Sequence, residues 1–369
     1  MSYRAYAEID LGAIAHNVAT IQSRTDAQIL AVVKADAYGH GIVPVAQAAL
    51  SAGASWLGTA LLEEAITLRK AGISDRLIAW LTPPGDDFVA ALKHNIDLSV
   101  SSVKLLHEIL AAAKSLGVKP RLHIEVDTGM RRGGLLDEWQ EFLAELVKVK
   151  NVVHLIGLWT HFARADEADS GATPDQIAHF EKYLEDMKRV DIHPEIIHLA
   201  NSAATLSFPG AHKSMVRLGI AMYGLSPDVS TLGDASRFGL KPAMTVKAKL
   251  ALVKSAPRGS AVGYGGTAIL NEDTNLGVVV MGYSDGIPRA TSSAAGVWIE
   301  GKRAPLVGRV SMDQFVVDLG PTTTARAGDY VTVFGGDGYS IDEWAAAAGT
   351  INYEIVTRIA SRVPRIYVN

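Results

Sequence analysis

The apolar positions of this chain follow two rhythms, and the change between them falls near residue 240. From residue 10 onward, short apolar runs alternate with helical patterns. Asp10 can cap a helix over Leu11–Ser23, because its carboxylate can accept the free amide protons of a first helical turn. A short buried-type run follows at Ile29–Val33, then an alanine-rich helix over Ile42–Ala52. Further strand-like runs are Ser55–Thr59, Leu77–Leu81, Asp97–Val100, Arg121–Val126, Val153–Trp159, Glu195–Leu199 and Met215–Leu218. Helical patterns separate most of them. In one, Val103–Leu116, the apolar Val103, Leu106, Leu110 and Ala113 share a face. Repeated βα units predict parallel strands, and eight strands counted from Ile29 predict a closed TIM-like (β/α)₈ barrel. An open doubly wound sheet is the rival arrangement.

After Gly239 the texture changes. Val, Thr and Gly become frequent, and long helical stretches vanish until Ile341–Ala348. Met244–Val253, Leu276–Met281, Val297–Glu300, Phe315–Asp318 and Tyr330–Phe334 read as strands between turns bearing Gly and Pro. The class is therefore α/β, with a barrel over residues 1–239 followed by a mainly β domain over 240–369. The opening segment Tyr3–Ile9 is strand-like and precedes the eight barrel strands, so it is a candidate to join the C-terminal domain.

Composition narrows the function classes. At 369 residues the chain exceeds one ordinary core and suits two domains. Hydrophobic residues at 48% and charged residues at 20% form a globular balance. A net charge of −4 gives no reason to expect nucleic acid or an anionic membrane as a partner. No cysteine is present, which excludes disulfides, thiolate catalysis and thiolate metal sites, and fits a cytoplasmic setting. No metal centre is expected. The opening residues carry Arg4, Glu8 and Asp10 and do not read as a signal peptide, and no apolar run suits a membrane helix.

In a barrel the C-terminal strand ends carry the chemistry. Lys34 follows Ile29–Val33, and Asp127, Thr128, Gly129, Met130, Arg131 and Arg132 follow Arg121–Val126. His161 follows Val153–Trp159, Asn201 and Ser202 follow Glu195–Leu199, and Arg217 and Gly219 sit in or after Met215–Leu218. Five strands thus end in groups able to titrate or hydrogen-bond. Each residue also has a plain reading: Lys34 as a solvated lysine, His161 as a satisfied core histidine, Arg217 as half of an ion pair, Asn201 and Ser202 as caps of a helix over Ala203–Leu206. A lysine at the mouth of a buried strand is partly desolvated, however, which lowers its pKa and makes the amine a nucleophile suited to a Schiff base with an aldehyde cofactor. A helix start after strand seven and the Gly219 and Ile220 amides after strand eight are common phosphate sites in barrels. In the second domain, Val-Gly-Tyr-Gly-Gly (262–266) lets the backbone approach a ligand closely, but it is also ordinary turn chemistry.

Taken together, these segments resemble the alanine racemase family along nearly the whole chain. Ala-Val-Val-Lys-Ala-Asp-Ala-Tyr-Gly-His-Gly (31–41) is similar to the family's cofactor-lysine motif. Supporting matches are Asp-Thr-Gly-Met (127–130), Thr-His-Phe-Ala (160–163), Ala-Asn-Ser-Ala (200–203) and Val-Arg-Leu-Gly-Ile-Ala-Met-Tyr-Gly (216–224). Others are Gly-Tyr-Gly-Gly-Thr (263–267), Gly-Tyr-Ser-Asp-Gly (282–286), Ser-Met-Asp-Gln (311–314) and Ile-Asn-Tyr-Glu-Ile (351–355). The resemblance implies an isomerase that uses pyridoxal 5'-phosphate (PLP) to interconvert L- and D-alanine, supplying D-alanine for peptidoglycan. It implies that Lys34 holds PLP covalently, with Tyr38, Asn201, Ser202, Gly219, Ile220 and Tyr353 around the cofactor, mostly at its phosphate. Arg217 would face the pyridine nitrogen, and Arg132 the phenolic oxygen and the substrate carboxylate. Met312 would bind that carboxylate through its backbone, and Tyr283 would narrow the way in. Lys34 would serve the D face of the substrate, and Tyr264 the L face, supplied by the partner subunit of a homodimer. His161 would support that tyrosine. A free tyrosine titrates near ~10 and must be tuned downward by positive groups, for which His161 and Arg217 are the candidates.

One departure concerns charge. Related racemases often carry a lysine, able to be carbamylated, two residues before the aspartate of Asp-Thr-Gly-Met. Here that residue is Glu125, so Glu125 or an anion recruited nearby is expected to supply negative charge to Arg132. Arg131 stands where the family usually has glycine. Alternative functions are a racemase of broader or serine specificity and a non-catalytic PLP-binding protein; the latter class lacks the β domain and its tyrosine. A PLP decarboxylase of related architecture would hold the pyridine nitrogen with a carboxylate, which Arg217 argues against.

Overall fold

The structure, a computed structural model, describes residues 3–167 and 170–369. Strand β1 (Ala5–Asp10) leads into the helix Leu11–Gln22, and Asp10 caps that helix by accepting the Ala13 amide proton at 2.8 Å. Eight strands follow: β2 (Gln28–Val32), β3 (Trp56–Thr59), β4 (Arg76–Ala79), β5 (Asp97–Val100), β6 (Arg121–Glu125), β7 (His154–Trp159), β8 (Ile196–His198) and β9 (Met215–Leu218). Every pairing among them is parallel, in the order β8-β7-β6-β5-β4-β3-β2-β9. Just outside the ladder, Ser214 N donates to Ile197 O at 3.0 Å and Arg217 N to Ala200 O at 2.9 Å, which joins β8 to β9. Eight parallel strands in cyclic order form the barrel, and the open doubly wound sheet is excluded.

The two hydrophobic rhythms have a direct physical origin. β3, β5 and β9 are buried at every position, because the interior covers one face and helices cover the other. β1 and the later strand Phe315–Gly320 alternate buried and half-buried residues, which marks a sheet with one covered face. Strand ends are where periodicity misleads. The apolar run Leu77–Leu81 overshoots its strand, which stops at Ala79, and Leu81 is exposed.

The C-terminal part contains β10 (Met244–Ala256), β11 (Ala261–Val262), β12 (Ala268–Ile269), β13 (Thr274–Val279), β14 (Gly296–Ile299), β15 (Lys302–Pro305), β16 (Phe315–Gly320), β17 (Tyr330–Phe334) and β18 (Arg365–Val368). One sheet runs β15-β14-β17-β10-β1-β18, with β13 branching from β10 and β16 pairing with β13. β1 lies antiparallel to β10 and parallel to β18. The chain divides into two compact units: a barrel unit of Ile14–Ala37 and Ile42–Lys241, and a β unit of the residues through Ala13, Tyr38–Gly41 and Pro242–Asn369. The division thus falls two residues beyond the change in texture at 239. It also assigns the first strand and Tyr38–Gly41 to the β unit: β1 pairs with β10 and β18, and Arg365 Nε donates to Gly39 O at 2.9 Å.

The segment after β2 is unusual. Ala35, Asp36, Ala37 and Tyr38 have φ between +52° and +53°. A left-handed turn costs an L-residue about 1 kcal/mol or more per position. Three contacts hold the turn: Ala37 N to Val33 O at 2.9 Å, Ala35 N to Glu64 Oε1 at 2.5 Å, and Ile42 N to Asp36 Oδ1 at 2.8 Å.

Within the β unit, Asp285 is a buried anchor. It accepts from Arg4 Nη2 at 2.6 Å, from Arg362 Nε at 2.6 Å and from the Gly282 amide at 2.9 Å. Burial pushes its carboxyl up, but the hydrogen bonds from Arg4 and Arg362 outweigh this and hold it below the usual carboxylate range. Arg362 also reaches Asp313 at 2.6 Å and so ties the 282–286 turn to the 311–314 turn. Asp285→Asn is expected to destabilise the β unit by about 3 kcal/mol, because it strands two arginines against a fully covered site. Urea denaturation read by the chain's tryptophan fluorescence checks this; an unchanged midpoint would contradict the anchor role.

Candidate active site

Lys34 stands two residues beyond the end of β2, directly after the buried Val33. Its amine is pushed below the ordinary lysine value, first by burial, then by the Arg132 charge, with Arg217 adding to the effect and Glu64 opposing it. Glu64 also fixes the backbone around it. Its Oε1 holds the Ala35 amide, and its Oε2 accepts from the Ala60 and Leu61 amides at 3.1 Å each. Sequence reasoning passed over Glu64, which lies thirty positions from Lys34 and carries no motif of its own.

Arg217 on β9 is 4% exposed. Its Nη1 donates to His198 O at 2.8 Å, and its Nη2 donates to Thr160 O at 2.8 Å and Leu199 O at 3.1 Å. Two imidazoles complete the shell: His198 Nδ1 at 3.3 Å from Nη1 and His161 Nδ1 at 3.2 Å from Nη2. The Trp159 ring lies 4.9 Å below the guanidinium. Burial lowers the Arg217 pKa to about 9 against the opposing pull of Glu125, so the group stays cationic at neutral pH.

A guanidinium only donates, so His161 Nδ1 must be the acceptor of that pair, and the ring proton sits on Nε2. Burial, then the charges of Arg217, Arg132 and Lys34, hold His161 well below its ordinary pKa. His161 is therefore neutral. This corrects the expectation that it contributes positive charge; it offers an Nε2–H donor instead. Gln176 supports it by donating to His161 O at 3.1 Å and to Thr128 Oγ1 at 3.0 Å, and Thr128 Oγ1 meets Thr160 Oγ1 at 2.8 Å.

Glu125 at the end of β6 is mostly buried, and burial raises its carboxyl to about 7, with Arg217 and then Arg132 pulling the other way. Among the described residues it forms no ion pair within 4.0 Å, so the expected Glu125–Arg132 pair is not made. Arg132 is exposed, as is Arg131, which adopts φ +59° and lies 3.6 Å from Asp127. A left-handed conformation explains why glycine suits position 131. Asp127 shapes this loop by accepting from the Gly129 amide at 2.8 Å and the Arg131 amide at 3.2 Å.

After β8, Asn201 caps the helix Ser202–Ser207 by accepting from Ala204 N at 3.0 Å, and it donates weakly to Phe162 O at 3.4 Å. The buried Ser202 hydroxyl accepts from the Gly219 amide at 2.9 Å, leaving its own proton to be donated. The Ile220 amide opens a short 3-10 turn and so has no partner within it.

The structure therefore brings Lys34, Arg132, His161, Asn201, Ser202, Arg217, Gly219 and Ile220 together in the barrel unit. Tyr38, Tyr264, Tyr283, Met312 and Tyr353 belong to the β unit. The rings of Tyr38 and Tyr353 lie 6.2 Å apart, and burial keeps the Tyr38 hydroxyl protonated. Tyr283 N donates to Ser311 O at 3.0 Å and Ser284 N to Met312 O at 2.9 Å. Only glycine fits at 282, since a Cβ there would come within 2.4 Å of the Ser311 and Met312 carbonyls. Tyr264 is 70% exposed, between Gly263 and Gly265 at φ +75° and +78°.

Family models of the alanine racemase N-terminal and C-terminal domains match residues 9–227 and 243–367. An alanine racemase of Beutenbergia cavernae is 48% identical, over 100% of this chain and 99% of its own length. One of Streptomyces coelicolor is 45% identical, over 99% and 96%. Among solved structures, the alanine racemase of D-cycloserine-producing Streptomyces lavendulae has a TM-score of 0.97 at 44% identity, over 100% of this chain and 98% of its own. That of Bacillus anthracis, with bound L-Ala-P, has a TM-score of 0.91 at 38% identity, over 100% and 96%. The chain belongs to the alanine racemase family.

Proposed function

We propose that this chain interconverts L-alanine and D-alanine, with PLP bound at the barrel mouth. The observation that carries the reading is Lys34: a half-buried amine at a strand's C-terminal end, its pKa depressed by burial and by Arg132 and Arg217. The surrounding charge fits the cofactor. Lys34, Arg132 and Arg217 face Glu64, which is engaged by three amides, and Glu125, which is only partly ionised at neutral pH. Such a surplus of positive charge suits a ligand bearing a phosphate and a phenolic oxygen. Bound there, PLP would supply an aldehyde that joins amines covalently and a ring that delocalises the charge left when the α-proton departs.

Lys34 would hold the cofactor. The Ser202 hydroxyl and the Ile220 amide would take its phosphate, the Gly219 amide would join them on exchanging its Ser202 partner, and Tyr38, Asn201 and Tyr353 would complete the surroundings. Arg217 can only donate, so a pyridine nitrogen facing it would accept and stay unprotonated, which weakens the electron sink and limits side reactions. Arg132 and the Met312 backbone would hold the substrate carboxylate, and Tyr283 would restrict the way in. Racemisation requires acid/base groups on both faces of one carbon. The Lys34 amine, easily deprotonated, serves one face; the Tyr264 phenol serves the other, with the neutral His161 donating Nε2–H toward it. The 70% exposure of Tyr264 in the single chain supports its delivery to a second copy, and hence a homodimer. No helix among the described residues is long and apolar enough to cross a membrane, and a cytoplasmic location suits the supply of D-alanine for peptidoglycan.

Incubating purified protein with L-alanine, L-serine and L-lysine, followed by chiral analysis, is expected to yield chiefly D-alanine; absence of D-alanine would overturn the assignment. Tyr264→Phe should slow exchange of the L-alanine α-proton by about 10²–10⁴, and that of D-alanine much less. Equal losses in both directions would contradict the division of labour. Glu125 has a folded-state pKa raised above its unfolded value, so its ionisation opposes folding as pH climbs from the usual carboxylate range through about 7. The wild-type barrel unit should therefore lose stability between about pH 5 and 8, and Glu125→Gln should flatten that slope, as read by thermal unfolding across pH.

A further inference from the structure

A line of polar side chains runs through the barrel interior, where apolar layers are the norm. It starts at the N-terminal strand ends with Arg76, Asp97 and Arg121, the first residues of β4, β5 and β6. It continues through His123 within β6 and His198 at the end of β8 to Arg217 on β9. Asp97 and His123 are 0% exposed and His198 1%. Asp97 accepts from Arg121 Nε at 2.5 Å and from Arg76 Nη2 at 3.2 Å. His123 Nδ1 meets His198 Nε2 at 3.1 Å, and His123 Nε2, which makes no hydrogen bond among the described residues, lies 3.5 Å from Asp97 Oδ2. Space is reserved for this line: a Cβ on Gly157 of β7 would fall 2.2 Å from His123 Nδ1.

The proton positions follow from one end. Arg217 donates, so His198 Nδ1 is bare and its proton sits on Nε2. That proton points at His123 Nδ1, which must accept, so His123 carries its own proton on Nε2, facing the Asp97 carboxylate. The two hydrogen bonds from Arg217 through His198 to His123 then point the same way, toward Asp97, whose carboxylate lies 3.5 Å from His123 Nε2. Burial holds both imidazoles below their ordinary value: at His198 the Arg217 charge adds to it, and at His123 burial outweighs the opposing pull of Asp97, with Arg76 and Arg121 adding less. The Asp97 carboxyl, pushed up by burial, is brought below its ordinary value by His123 and Arg121.

We propose that Asp97 and His123 are positioning residues for Arg217, acting through the tautomer of His198. With the reverse tautomer, His198 Nδ1–H would confront the guanidinium, a donor against a donor, and Arg217 would shift from its three carbonyls. The role concerns the orientation of Arg217, and its effect on turnover rests on the reading that Arg217 faces the cofactor's pyridine nitrogen.

The test labels histidine with ¹⁵N and reads ring nitrogens against their protons, first in the wild-type enzyme. His123 and His198 are expected as neutral Nε2–H rings; an Nδ1–H or doubly protonated His198 overturns the proposal without any variant. In Asp97→Asn the carboxamide keeps the shape but has a single acceptor oxygen, for which Arg121 and Arg76 compete with His123 Nε2–H, so His198 should lose its single tautomer. The pH titration of the bound PLP absorbance should move with it, and kcat should fall about tenfold or more, with KM near wild type. His123→Phe removes the acceptor of His198 and should behave alike. A lowered Tm with the tautomer and absorbance unchanged in both variants overturns the proposal in favour of a structural role. Arg217→Lys separates the two readings: if it leaves absorbance and kcat unaltered, the placement of Arg217 at the cofactor fails, while the His198 tautomer still judges the positioning line.

Discussion

A guanidinium removed from water must find an acceptor for its protons, and the barrel mouth is arranged around that demand at Arg217. The carbonyls of Thr160, His198 and Leu199 turn inward to meet it, which pins the chain at the ends of β7 and β8 against β9. The same demand fixes which nitrogen of each neighbouring imidazole carries a proton. His161 becomes a neutral donor on its outer edge, and His198 passes its polarity into the interior. A lysine at position 217 could not reproduce this, since an ammonium lacks the planar fork that serves two strand ends at once.

Charge at the mouth follows from the same burial. Three cationic side chains gather there, and the nearest carboxylates are compromised, Glu64 by its amide partners and Glu125 by desolvation. Desolvation and like charge act together on Lys34, and both favour the free amine. An anionic ligand relieves the repulsion. The phosphate of the proposed cofactor would do so, and the arginines would cost less with it bound.

Strain is concentrated where the backbone must present these groups. The left-handed run from Ala35 to Tyr38 immediately follows Lys34, and three hydrogen bonds hold it in a conformation that costs each of its L-residues free energy. In the β unit, Gly282 and the buried Asp285 do comparable work for the turns that carry Tyr283 and Met312. These motifs look like ordinary turns in sequence because their partners, Arg4 and Arg362, lie far along the chain.

Much of the architecture was determined by the sequence alone. The eight barrel runs, the Asp10 cap, the helix Val103–Leu116 and the later strands are set by local burial on one face or two, and that leaves a period in the residue pattern. The candidate groups at the strand ends were also legible, since barrel chemistry sits at one rim. Tertiary structure alone decided the rest. The neutrality of His161, the half-ionised Glu125 and the unmade Glu125–Arg132 pair depend on desolvation and distance, which no motif encodes. The line from Asp97 to Arg217 joins residues such as His123 and His198, 75 positions apart. Periodicity reports which face of a segment is buried; it carries no information about which distant side chain will share that burial, and proton positions follow only from that partner.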